Sequence, residues 1–193
     1  MSNGEQVRLE TTFQQRADRG LNVQVLYQNN SGEVVYVFDR QWTLNQANQF
    51  QPDNIGAYRF LNDADTLVLL VGPAPLPRSM SVLYENVPHA TRLDPGQRRE
   101  LRLSIVGPIP EETAYFPVLP NSTFTPVEVR HVELVLSYLP ASSEALFRAS
   151  ALFSDGFELV TPAPGGQLRT VSTGRVAGSA LVNRRTDLFE ASR

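Results

Sequence analysis

Residues 21–38 read LNVQVLYQNNSGEVVYVF, and this stretch decides the fold class. Leu21, Val23, Val25 and Tyr27 alternate with Asn22, Gln24 and Leu26. A period of two sends successive side chains to opposite faces, so one set is buried and the other meets water. Asn29-Asn30-Ser31-Gly32 then supplies residues that tolerate positive φ, and Val34 to Phe38 resumes the β-branched and aromatic pattern. Leu21 to Phe38 therefore reads as a β-hairpin.

The same period extends in both directions. Upstream, Val7, Leu9, Thr11 and Phe13 alternate with Arg8, Glu10 and Thr12. Downstream, Tyr58 to Leu61, Leu67 to Val71 and Met80 to Tyr84 are short strand-like runs between Asn/Asp or Gly/Pro punctuation. Arg92-Leu93-Asp94-Pro95-Gly96-Gln97 is a turn, because proline presets its second position and glycine accepts the left-handed one. Leu101, Leu103 and Ile105 alternate beyond it. Val127 to Tyr138 is a second long run, with Val132, Leu134, Leu136 and Tyr138 on one face and a phase shift near Arg130-His131 that predicts a bulge. Ser143 to Phe153 fits a strand or a short helix equally well. Phe157 to Val160 and the glycine-interrupted Leu168 to Leu181 are further β runs, and a loose tail is expected from about residue 184.

Proline placement excludes the alternative. Twelve of the 14 prolines lie between Pro52 and Pro140, and a helix interior rejects proline at a cost of about 3 kcal/mol. The expected fold is all-β: a single domain over residues 1–193, an antiparallel immunoglobulin-like β-sandwich with at most one or two short helices. The turn Leu93-Asp94-Pro95-Gly96-Gln97 leading into a strand resembles that of many bacterial sandwich domains, intracellular proteinase inhibitors among them.

Composition then excludes whole classes of chemistry. All 17 basic residues are Arg, so Schiff-base, P-loop and Ser-Lys mechanisms have no ε-amine to use. Zero Cys removes disulfides, thiolate nucleophiles, iron–sulfur clusters and thiolate zinc sites. A net charge of −3 provides no general attraction to phosphate backbones, so no nucleic-acid role is expected. The longest strongly apolar run, Leu67 to Val71, is far short of the roughly 20 residues that span a bilayer, so no membrane span is expected. The first 20 residues are polar. The default location is the cytoplasm, or the periplasm or outside if a leader is removed.

The residues that remain for chemistry are few. His89 and His131 are the two imidazoles, but the G-x-S-x-G elbow of hydrolases is missing and His131-Val132-Glu133 lacks the P-C-x-x-C partner of zinc deaminases. His131 reads as a strand residue and His89 as a solvated loop residue. Asn62, Asp63 and Asp65 read as a polar turn, and Glu111-Glu112 as a solvated loop. No metal and no cofactor is expected. The basic group Arg92, Arg98, Arg99 and Arg102 is diluted by Asp94 and Glu100 and should divide between two faces.

One segment departs from this pattern. Residues 108–126 carry five prolines together with Tyr115, Phe116, Val118, Leu119 and Phe124, in a connection longer than a compact domain normally needs. These side chains either cap the sandwich or present an apolar surface to another protein, and Tyr115, Phe116, Leu119 and Phe124 are the candidate binding residues. The functional expectation is a non-catalytic interaction or accessory module. A carbohydrate-binding sandwich, marked by exposed aromatics in line on one face, and a hydrolase using His89 or His131 are the alternatives.

Overall fold

The computed structural model describes residues 6–44, 50–54, 56–73, 89–112, 120–142, 147–151, 158–162 and 168–186. These form β1 (Val7–Gln15), β2 (Leu21–Asn29), β3 (Val35–Leu44), β4 (Phe50–Asn54), β5 (Tyr58–Leu61), β6 (Thr66–Val71), β7 (His89–Leu93), β8 (Arg98–Ile105), β9 (Ile109–Pro110), β10 (Phe124–Pro140), β11 (Phe147–Ala151), β12 (Glu158–Pro162), β13 (Arg169–Ser172) and β14 (Val176–Arg185). No α-helix occurs among the described residues, Ala141 and Ser142 take a 3₁₀ conformation, and the ambiguous Ser143 to Phe153 stretch holds β11. The run Met80 to Tyr84 lies outside the described residues.

A three-stranded antiparallel sheet, β1-β2-β8, faces a larger sheet organised on β10. Val7, Val23, Val25, Leu101 and Leu103 of the first share one continuous core with Val37, Leu67, Leu69, Val132, Leu134, Leu136 and Val182 of the second. The alternation in β2 is complete, its odd-numbered residues being buried. That is why one face of the three-stranded sheet is core and the other is open.

The second sheet corrects the expectation of purely antiparallel pairing. β10 pairs antiparallel with β14, β13 and β3, but β6 lies parallel to it from His131↔Thr66 to Leu136↔Val71, and β9 lies parallel to β14. β6 is buried along its whole length. Its unbroken run Leu67-Val68-Leu69-Leu70-Val71 suits a parallel strand covered on both faces rather than one that is half wet. The bulge expected near Arg130-His131 is present: the β10–β14 register shifts between Val129 and His131, and both Arg130 and His131 donate their amides to the Asp65 carbonyl.

Pairing in this sheet also closes on itself. β10 pairs with β14, β14 with β9, Glu112 bridges to Arg59 of β5, β5 pairs with β6, and β6 returns to β10. Glu111 latches the circuit: one carboxylate oxygen accepts the Leu61 amide at 2.8 Å and the other accepts the Arg185 amide at 2.8 Å. Glu112 holds the Arg59 guanidinium by a hydrogen-bonded ion pair, and burial lowers the Arg59 pKa. The adjacent carboxylates therefore close a sheet and do not occupy a solvated loop. Likewise Arg184 and Arg185, expected in a loose tail, belong to β14 and pair with Thr125 and Phe124.

The predicted hairpin of residues 21–38 is also corrected. Both strands form, yet β2 pairs with β1 and β8 while β3 pairs with β4, β7 and β10, so the turn carries the chain from one sheet to the other. The Arg92–Gln97 turn does the same between β7 and β8, and the two corners are joined through Asn29. Asn29 is fully buried. Its Nδ2 donates to the carbonyls of Glu33 at 2.8 Å and Leu93 at 2.9 Å, and its Oδ1 accepts the Ser31 amide and hydroxyl at 2.9 and 2.7 Å. Its backbone exchanges hydrogen bonds with Gln97 and Gly96. No residue from Asn29 to Gly32 has positive φ. The corner is shaped by the Asn29 side chain, as in an Asx turn, and not by left-handed residues.

Candidate functional site

The open face of the three-stranded sheet is built from the even-numbered residues that alternation turns away from the core. Registers align them in rows: Arg8, Gln28 and Arg98; Glu10, Leu26 and Glu100; Thr12, Gln24 and Arg102; Gln14, Asn22 and Ser104. Leu26 is the single apolar member. Side chains are tied across the strands: Gln24 Nε2 donates to Glu100 Oε1 at 3.0 Å, Ser104 Oγ to Asn22 Oδ1 at 3.0 Å, and Arg16 Nη1 to Ser104 Oγ at 2.6 Å. Arg102 pairs with Glu100 within β8 and, as the leading cause, holds that carboxyl below its ordinary range. The same side-chain bond raises the Arg102 pKa. A shallow depression of about 380 Å³ opens among Thr12, Gln14, Asn22, Gln24, Arg102 and Ser104. Such a face offers carboxamide, hydroxyl and guanidinium groups in fixed positions.

The basic group divides as expected. Arg98 and Arg102 stand on this face, Arg99 takes the opposite parity opposite Tyr27, and Arg92 belongs to β7. Among the residues whose side-chain burial is described, Val106 is the one exposed large apolar residue, and the three-stranded sheet carries no row of exposed aromatics.

Between the sheets lies a second polar group, Tyr27, Asp39 and Thr91, from β2, β3 and β7. The Tyr27 hydroxyl donates to Asp39 Oδ2 and the Thr91 hydroxyl to Asp39 Oδ1, each at 2.6 Å. All three residues are buried. Burial pushes the Asp39 carboxyl above its ordinary range against the two hydroxyls, which pull it down, and burial beside Asp39 pushes the Tyr27 phenol up. A carboxyl that holds its proton more tightly folded than unfolded contributes most stability below the unfolded value of about 3.9. That contribution is lost as pH rises to the raised folded value and is level above it. Asp39→Asn removes this dependence. Its stability relative to the parent should climb as pH rises above about 4 and level off beyond the raised folded value; a stability difference that stays constant with pH in denaturant melts would contradict the assignment.

His89, expected in a loop, lies in β7 opposite Arg40, where the longer pairing with β3 includes it. His131 is in β10, with Nδ1 3.5 Å from Asp65 Oδ2 and both side chains partly exposed. No hydroxyl is hydrogen-bonded to His131 among the described residues, and its Nδ1 has no hydrogen-bond partner. Asp63 and Asp65 do occupy the turn between β5 and β6: the Asp65 amide donates to Asp63 Oδ1, and Asp63 is paired with Arg175. Among the described residues no three His, Asp or Glu side chains are grouped to hold a metal ion, and no helix is long and apolar enough to cross a membrane.

Of the candidate binding residues, Tyr115, Phe116 and Leu119 lie outside the described residues. Phe124 is not in a loop but opens β10, half-buried opposite Arg185, because β14 extends far enough to pair with it. The other end of the segment is fixed by β9 and the Glu111-Glu112 latch. Sequence reasoning missed the polar face as a unit because its members come from three strands whose partners local periodicity does not name. Compared with known proteins, the chain matches no family model, and no curated protein or solved structure aligns with it significantly.

Proposed function

We propose that this chain is a non-catalytic interaction module on an immunoglobulin-like β-sandwich, meeting a protein partner through the open face of β1, β2 and β8. The observation that carries the reading is the tying of Gln24 to Glu100 and of Asn22 to Ser104 across strands, with Arg102 paired to Glu100 within β8, which holds polar groups in place before anything binds. Preordered side chains lose less entropy on association, and a flat polar face suits a wet protein interface. The second reading, contact through residues 108–126, is favoured by the density of apolar side chains there and by the pinning of both ends of the segment.

The test is cross-linking capture from cells that make the protein, using the parent, Gln24→Ala with Arg102→Ala, and Tyr115→Ala with Phe116→Ala. The face variant should keep its stability within about 0.5 kcal/mol, as surface changes do, and lose the captured protein. Capture retained by the face variant and lost by the Tyr115/Phe116 variant would transfer the contact to residues 108–126. If those rings instead cap the sandwich, each one removed from full burial should cost about 3–5 kcal/mol. Ester hydrolysis abolished by His131→Ala would overturn the non-catalytic reading, and saturable glycan binding lost in the face variant would replace the protein partner by a carbohydrate.

A further inference from the structure

Among the described residues β1 is the outer strand of its sheet, hydrogen-bonded on one side only and with β13 and β14 lying close to it. It is nine residues long, its register with β2 is unbroken from Val7↔Asn29 to Gln15↔Leu21, and no described strand pairs with its other side. Natural edges are guarded by proline, bulges, shortness or charge. The opposite edge of the same sheet, β8, carries Arg98, Arg99, Glu100 and Arg102; β1 carries two charges, Arg8 and Glu10, paired with each other on its solvent face, while its core-facing residues Val7, Leu9, Thr11, Phe13 and Gln15 are uncharged.

The hydrogen-bond phase defines what that edge presents. The Asn30 amide donates to the Gln6 carbonyl at 2.8 Å and the Arg16 amide to the Gly20 carbonyl at 3.0 Å. Even-numbered residues of β1 therefore bond to β2, and the amides and carbonyls of Val7, Leu9, Thr11, Phe13 and Gln15 point to the open side. Along that side Leu9 and Phe13 are only partly buried against the core, and the Thr11 hydroxyl is shielded from water with no hydrogen-bond partner.

We propose that β1 pairs antiparallel with β1 of a second copy of this chain about a two-fold axis at Thr11, joining two three-stranded sheets into one of six strands. The register follows from the sequence. With Thr11 opposite Thr11 of the second copy, Leu9 meets Phe13, Val7 meets Gln15, Arg8 meets Gln14 and Glu10 meets Thr12. No like charges stand directly opposite, and the half-buried apolar residues cover one another. This phase makes every outward residue part of a hydrogen-bonded pair, so the open amides and carbonyls of both edges are satisfied. An isologous contact of this kind closes at two copies. Its area is that of a single strand pair, which places it among weak, concentration-dependent dimers.

Sedimentation velocity over a concentration series, with two sets of variants, tests this. The parent should move from monomer toward dimer as concentration rises. Thr11→Pro deletes an outward amide that β2 does not use, a setting in which an edge strand accepts proline. It should melt like the parent and raise the dimer dissociation constant at least about tenfold, since both copies lose a central bond. The chain has no cysteine, so Thr11→Cys introduces one thiol per copy. In this register two such residues lie about 5.5 Å apart between Cα atoms, within disulfide range, whereas position 14 faces position 8. Under mild oxidation Thr11→Cys should form a disulfide dimer many times faster than Gln14→Cys. A parent that stays monomeric, a dimer indifferent to Thr11→Pro, or equal cross-linking of the two cysteine variants would each overturn the proposal.

Discussion

Gly107→Ala is expected to abolish the native fold, because a Cβ at this position would stand 2.3 Å from the Asp18 carbonyl oxygen, 2.4 Å from the Gly20 amide nitrogen and 2.6 Å from the Arg19 carbonyl carbon. Each neighbour is backbone, so no side chain can swing aside. The reciprocal contact is as close: a Cβ on Gly20 would lie 2.1 Å from the Ile105 carbonyl oxygen and 2.6 Å from the Gly107 amide nitrogen. The two glycines mark where the β1–β2 turn lies against the chain leaving β8. That turn is already committed by the Arg16–Gly20 backbone bond, by Arg19 at φ 64° and by the Leu181 amide donating to the Arg19 carbonyl. Relief requires moving whole strands, so the expected loss exceeds about 4 kcal/mol, a large part of the 5–15 kcal/mol that holds a typical domain together. Gly32→Ala is the control: its φ is not positive and nothing lies within 4 Å of the added methyl. It should be neutral or stabilise by roughly 0.4–1 kcal/mol through the unfolded chain. Denaturant melts that place Gly107→Ala within 1 kcal/mol of the parent would show that this close approach of two backbones is not required.

Asn29→Ala is expected to be the next most damaging change. It leaves the Leu93 carbonyl without its side-chain donor in a buried setting, leaves the Glu33 carbonyl with the Ser31 hydroxyl as its side-chain donor, and frees the Ser31 amide. An unmet buried polar group costs about 1–3 kcal/mol. Water can reach the Ser31 side of the turn more readily than the Leu93 side, so the total expected loss is about 3–5 kcal/mol. Asn29→Asp separates donor from acceptor. It keeps the acceptor for Ser31, loses both donors and places a charge where the residue is fully buried, so it should be at least as destabilising as alanine. An aspartate variant close to the parent in chemical denaturation would mean that the bonds to Glu33 and Leu93 do not hold the corners together.

Both predictions fall at places where local sequence signals were incomplete. The strand content of residues 7–38 was legible because burying alternate side chains on a pleated strand needs only a period of two. The turn at Asn29 to Gly32 was legible as a turn. Its destination was not, since a corner between sheets and a hairpin use the same residue types, and the deciding bond, Asn29 to the Leu93 carbonyl, spans 64 positions. β7 was hidden for a related reason: His89-Ala90-Thr91-Arg92-Leu93 has no strong run of its own and becomes a strand by pairing with β3 and β12. Pro52 and Pro110 obscured β4 and β9, where proline is carried by strands that pair on one side. The polar face was present in the sequence as the even-numbered residues of three separate segments, and became one surface when β1 and β8 took places on either side of β2.

By itself, then, the sequence determined the all-β character of this protein, which residues of β1, β2, β8 and β10 turn inward, the bulge at Arg130, and the absence of lysine and thiol chemistry. These follow from residue identity and from a periodicity that each strand carries within itself. The tertiary structure alone decided which strands pair, that β6 and β9 run parallel to their neighbours, that Glu111 and Glu112 latch a closed circuit, and that Asp39 is held between Tyr27 and Thr91. The physical reason is that backbone amides and carbonyls are the same in every residue. A strand's sequence says which face it buries, while its partner is chosen by the shape and burial of segments far away along the chain.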